Sequence, residues 1–227
     1  MRLKPQTRRS VGRPVDEVAR AERRELILGA ARACFVQEGF QGASVSSIAK
    51  GAGVSVANLY QYFESKEDII FAIVEDNLQS DLTLISSILE AEQFIDGFDR
   101  ALRSAADAGE NDALRLQILA EGSRNSYVAR RIAVAEGKAV AALSQVIKDA
   151  SAREKIAADF DPEILASLLI CFAEGWFGRK TIGLVDFEDH RDTILQFISY
   201  ALGIDSPKNK DKSRVTDASD GAALPKT

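Results

Sequence analysis

The chain is poor in the residues of metal and nucleophile chemistry. Its 227 residues include one histidine, His190, and two cysteines, Cys34 and Cys171. Neither cysteine has a metal-ligand partner at a useful spacing. There is no glycine-rich phosphate loop and no nucleophile elbow. No catalytic residue, metal or cofactor is therefore expected, and His190 reads as a surface residue near the start of a helix. No apolar run approaches the ~20 residues that span a bilayer, so no membrane partner is expected. The longest, 164–177, is interrupted by Ser167, Glu174 and Gly175. The basic N-terminus is not followed by an apolar segment, which argues against a signal peptide. Both cysteines sit inside apolar helical patterns and read as buried thiols in a reducing cytoplasm. There is no strand-type alternation and no internal repeat.

Charge is present in quantity and unevenly placed. The net charge is −5. Residues 1–66 nevertheless hold eleven Lys and Arg against six Asp and Glu, while the remainder holds 18 against 28. A positive head on an acidic body suits a protein whose one end meets phosphate. The reading is all-α. Residues 1–15 form a disordered basic arm. A helix from about Asp16 to Glu38 carries Leu26, Ile27, Ala30, Ala31, Cys34 and Phe35 inward, and Gly39 ends it. Ser44 caps a helix of about 45–51, Ser55 caps one of about 56–62, and Ser65 starts a long one reaching about Glu90. Its inward stripe runs from Ile69 and Ile70 through Ile73, Val74 and Leu78 to Leu82, Ile85 and Leu89. Further helices are expected near 92–107, 112–122, 125–150, 162–183 and 187–203. Asn111, Asp161 and Asp186 start three of them, Asp161 with proline behind it. From Asp205 to the end, few bulky apolar residues remain, and a disordered tail is expected.

The segment 40–66 is the most informative. Val45, Ile48, Ala49, Val54, Leu59 and Phe63 form a small apolar pattern across two short helices separated by Gly51-Ala52-Gly53. That is a helix-turn-helix in one dimension. Gly53 supplies the left-handed backbone that the tight turn needs. The residues between the anchors are small, polar or aromatic-polar, as a surface entering a DNA groove requires.

The landmarks around it resemble the DNA-binding domain of the TetR family of bacterial transcriptional regulators. They are the run 24–31, then Phe35, Gly39-Phe40, Ser44-Val45, Ile48-Ala49, Ala52-Gly53-Val54-Ser55, the run 59–63, and Ser65-Lys66-Glu67. The resemblance covers about residues 20–72; the rest matches only in being helical. It implies a three-helix DNA-binding domain over 16–66 and a helical ligand-binding and dimerisation domain over 67–204. Carried over residue by residue, the recognition helix would touch DNA through Val56, Ala57, Asn58, Tyr60, Gln61 and Tyr62. Asn58 and Gln61 can pair with an adenine edge, and Val56 and Ala57 can touch a thymine methyl. Ser44 and Ser46 are placed for phosphate or base-edge contacts, with Ser55 at the helix start, and Lys66 adds charge at a helix N-terminus.

Three further expectations follow. Arg13 of Gly12-Arg13-Pro14 either enters a narrow minor groove or belongs to a solvated tail. The helix 162–183 is apolar on more than one face and needs cover on two sides. The resemblance implies that a second copy supplies one of them, with Leu168, Phe177, Ile194 and Ile198 at the interface; a purely internal core is the alternative. A small-molecule pocket is implied by the resemblance, with Phe94, Phe98, Leu116, Leu119, Phe172 and Trp176 as candidates, each of which could equally be plain core. Glu174, if buried, needs a partner; Arg115 or Arg124 could supply one, or could bind an acidic ligand. The expectation is thus a homodimeric, cytoplasmic, non-enzymatic repressor, released from a palindromic operator in double-stranded DNA by an unidentified effector. The alternative is a ligand-independent architectural DNA-binding protein.

Overall fold

The computed structural model describes residues 17–107, 110–153, 155–157 and 159–204. The described residues are helical, without strands. The helices are α1 (Glu17–Gly42), α2 (Val45–Gly51), α3 (Val56–Leu59), α4 (Lys66–Leu89), α5 (Phe94–Ala106), α6 (Glu110–Gly122), α7 (Ser126–Ala152), α8 (Pro162–Thr181) and α9 (Phe187–Leu202). No described helix is long and apolar enough to cross a membrane. The arm 1–15 and the tail from 205 onward lie outside the described residues.

Polar side chains set the helix starts. Ser44, Ser55 and Ser65 each accept the backbone N–H three residues on, from Ser47, Asn58 and Asp68. Each thereby satisfies a donor that the first helical turn leaves free. Asp161 and Asp186 do the same for α8 and α9, with Pro162 opening α8. Asn111 instead lies inside α6, which begins at Glu110. At Gly39 the backbone leaves helical geometry (φ 71°, ψ 166°), but one more turn follows and carries Phe40 into the core.

Two apolar cores result. The first joins Ile27, Leu28, Ala31 and Phe35 of α1 to Ile48, Leu59, Phe63 and the stretch 69–74 of α4. It is closed from outside the head by Leu114 and Ile118 of α6 and Val128 of α7. The second gathers Ile88, Phe94 and Phe98 with Leu143, Ile147, Leu165 and the α9 row Ile194, Ile198, Leu202. Helix α4 supplies both cores, its first half to one and its end to the other. Its 24 residues span about 36 Å at 1.5 Å per residue.

Several side chains face other ways than their spacing suggested. Leu26 is 55% exposed, and Leu28 takes the buried place on α1. Leu82, Ile85 and Leu89 are only half-buried. Cys34 is half-buried and Cys171 exposed, which corrects the expectation of two buried thiols. The residues expected at a dimer interface differ in exposure. Phe177, Ile194 and Ile198 are 9%, 4% and 2% exposed and pack in the core of the chain itself, while Leu168 is 61% exposed. Periodicity shows that α8 is apolar on two faces. It does not show which face meets the chain's own helices.

Candidate nucleic-acid interface and effector cavity

The helix-turn-helix is held by backbone geometry as well as by its apolar anchors. Gly53 adopts φ 64°. Its N–H bonds to the Lys50 carbonyl at 3.2 Å, and the Val54 N–H reaches back to Ala49 at 3.0 Å. This pair of bonds ends α2 and turns the chain sharply, and a side chain at 53 would strain it. Ile48, Ala49 and Leu59 are fully buried beneath the turn.

The recognition helix is shorter than expected. Regular α-helix covers Val56–Leu59, and the Gln61 and Tyr62 N–H groups bond three residues back, to Asn58 and Leu59. This tightened end satisfies the terminal carbonyls while turning the chain towards α4. Ser44, Ser46, Ser55, Ala57 and Gln61 are exposed, as are Val56 and Tyr60 at 37% and 51%. Asn58 is half-buried, and its amide donates to the Gln61 side-chain oxygen at 3.2 Å. The two candidate base readers therefore orient one another.

Two candidates are less free. Tyr62 is half-buried against the head core, under the Arg20 guanidinium at 5.9 Å from its ring centre. Lys66 turns inward. Its Nζ donates to the Phe40 and Ala43 carbonyls at 2.6 and 3.0 Å and lies 4.3 Å from the Phe40 ring centre. It ties the end of α1 to the start of α4, so its charge is not a free surface charge. Nothing in linear spacing says that the first turn of α1, with Arg20, lies beside Tyr62.

A cavity of about 600 Å³ lies between α4, α5, α6, α7 and α8. Of the six pocket candidates, Phe98, Leu116, Leu119 and Phe172 line it. Phe94 and Trp176 do not. Phe94 is buried edge-on against Phe98 in the body core, and Trp176 stacks behind Phe172 with ring centres 6.3 Å apart. Aromatic identity marked these residues, but helical phase decided which rings reach the space.

The cavity's charged groups were mostly unforeseen. Asp81, Asp112, Glu136 and Glu174 line it, with Arg115. Arg115 donates to Asp81 at 2.6 Å and Arg124 lies 3.5 Å from Glu121, so neither pairs with Glu174 as anticipated. Glu174 keeps a solvent-exposed side, so the partner required of a fully buried acid is not required here; partial desolvation by the apolar wall still pushes its carboxyl above its ordinary range, Glu136 and Asp81 add repulsion, and Arg115 opposes. Burial likewise raises Asp112, against the attraction of Lys180 and Arg115. The signal available in sequence was an acid within an apolar run, and only Glu174 gave it.

Head and cavity share side chains. Val74 and Ile118 belong to the head core and also line the cavity. On α6, Gln117 donates to the Val36 carbonyl at 3.2 Å, and buried Glu121 accepts from Gln41 at 3.1 Å. One helix thus touches the cavity with one face and α1 with another.

A helix-turn-helix head on an all-helical body with a cavity between its helices is the architecture of a one-component DNA-binding regulator. The sequence model of the family described as bacterial regulatory proteins, tetR family, matches residues 27–73. The HTH-type transcriptional regulator UidR of Escherichia coli (strain K12) is 31% identical over 153 residues, 67% of this chain and 78% of that protein. The nucleoid occlusion factor SlmA of Shewanella sp. (strain MR-4) is 28% identical over 201 residues, 79% of this chain and 94% of that one. Among solved structures, Salmonella enterica GusR aligns with a TM-score of 0.72 at 28% identity, covering 86% of this chain and 99% of its own. The protein belongs to the TetR family of bacterial transcriptional regulators.

Proposed function

We propose that the protein is a repressor, released from a palindromic operator by a small molecule that enters the body cavity. The observation that carries this reading is the sharing of Val74 and Ile118 between the head core and the cavity. A ligand that shifts α4 or α6 must repack the head's own core. Packed interiors respond by switching arrangements rather than by deforming smoothly. A ligand favouring one arrangement then lowers the affinity of the other for DNA.

Two heads are needed for a palindrome, and a homodimer supplies them. The face available is the outer row of α8 and α9. There Ile164 and Leu168 are each 61% exposed, with Phe197 at 51% and Tyr200 at 64%. Each head would present Val56, Ala57, Asn58, Tyr60 and Gln61 to the major groove, while Ser44, Ser46, Arg20 and the arm 1–15 approach phosphates. On this reading the DNA-binding unit spans about 16–66, the regulatory unit 67–204, and the protein acts in the cytoplasm without enzymatic activity.

The test is an operator recovered from random DNA by selection. Its affinity for the protein should fall when a cavity-binding molecule is added, and the recovered motif should be two-fold symmetric. The second reading is a ligand-independent DNA-organising protein, favoured by the similarity to a protein named a nucleoid occlusion factor. Operator affinity insensitive to every molecule that binds the cavity would select it.

A further inference from the structure

The cavity is lined by four carboxylates and a single arginine. Arg115 is already taken by Asp81 at 2.6 Å. Asp112, Glu136 and Glu174 line the same space, Asp112 buried and the two glutamates solvent-exposed along its wall, and none has an ion-pair partner among the described residues. Asp112 is 7% exposed. A carboxylate buried to that degree without an ion-pair partner among the described residues costs stability, and such groups persist where something else uses them. The remaining wall is apolar and aromatic, with Leu78, Ile88, Phe98, Phe172 and Phe177. Ring faces attract cations, and apolar walls attract a hydrocarbon body.

We infer that the effector is an apolar organic cation, a hydrophobic amine or onium ion, whose charge is met by Asp112, Glu136 and Glu174. This rests on the proposal that the cavity is the effector site. The cavity's volume suits a drug-sized molecule. An anionic amphiphile would meet three unpaired carboxylates and an arginine already engaged. The titratable groups facing the site are Asp81 from α4, Asp112 and Arg115 from α6, Glu136 from α7 and Glu174 from α8, with Lys180 acting on Asp112; α5 and α9 add none. Lys180 itself donates to the Ala106 carbonyl.

Tetraphenylphosphonium and tetraphenylborate share one shape and carry opposite, pH-independent charges. The full chain is titrated with each by calorimetry and by the emission of Trp176, its sole tryptophan, stacked on the cavity residue Phe172. The phosphonium should bind at least about tenfold tighter than the borate, as like charge at close range requires. Asp112→Asn and Glu174→Gln should each weaken the phosphonium and narrow the gap. Acidification should weaken it too, because only the protein's carboxylates titrate. Borate binding as tightly as phosphonium, or phosphonium binding untouched when Asp112→Asn and Glu174→Gln are combined and at low pH, overturns the inference. A neutral probe, N-phenyl-1-naphthylamine, separates the layers. If it or the borate binds and phosphonium does not, the charge assignment falls and the effector cavity stands. If none of the three binds, both fall.

Discussion

Arg191 grips Asp99 with two nitrogens, Nε to Oδ1 at 2.7 Å and Nη2 to Oδ2 at 2.6 Å, and so clamps α9 to α5. Residues 92 positions apart meet in a planar, two-bond geometry that only arginine offers. The hydrogen bond from Arg191 holds the Asp99 carboxyl below the usual carboxylate range, against the effect of its burial, with Arg103 assisting. A depressed carboxylate stabilises the fold above its unfolded pKa and loses that contribution as pH falls through the folded one. Arg191→Met should therefore lower Tm by a few degrees at neutral pH. The difference should shrink under acid, and thermal melts from pH 7 to pH 3 check this.

Asp112 has the opposite sign. Burial raises its pKa, so the ionised carboxylate destabilises the fold at neutral pH and the penalty fades as the group protonates. Asp112→Asn should melt higher than the unmodified protein at pH 7, with the gap closing towards pH 4. An equal or lower melting point at pH 7 would show that the carboxylate has a structural partner.

Gly97 lets α5 approach the end of α4. A Cβ there would lie 2.4 Å from the Ile88 carbonyl oxygen and 2.7 Å from its Cα, both backbone atoms that cannot swing aside. Gly97→Ala should cost about 1–3 kcal/mol by overpacking, read by denaturant unfolding.

On α8 and α9, exposure separates association from folding. On the proposal that this face joins two copies, Leu168→Glu and Phe197→Glu should give folded monomers in ultracentrifugation, because both side chains are exposed in the single chain. Ile198→Glu buries a charge in the subunit's own core and should abolish the fold, visible as lost helical circular dichroism.

Asn58 and Lys66 should part in DNA binding. Asn58→Ala should cost about 1–3 kcal/mol on the selected operator and relax preference at one base position. Lys66→Ala removes the tie between α1 and α4. It should lower Tm and weaken selected and random DNA alike, since a misplaced head loses phosphate contacts of every sequence. Selection on randomised operators distinguishes the two. A motif that survives Asn58→Ala but shifts under Lys66→Ala would reverse the roles.

What the sequence determined by itself is local. The serine caps, the glycine turn at 53 and the anchors Ile48, Ala49 and Leu59 act within a few residues of one another. Their physics is therefore legible in order along the chain, and so is the head they build. The body's helices were equally legible as helices, because 3.6-residue periodicity is also a local property. The tertiary structure alone decided which face of each helix is inside. It sent Leu28 rather than Leu26 into the core, turned Phe177 and Ile198 inward and left Leu168 out. It also gathered Asp81, Asp112, Glu136 and Glu174 from four regions of the chain around one cavity. The reason is packing: a helix apolar on two sides satisfies either orientation by its own spacing, and only the neighbours it meets choose between them.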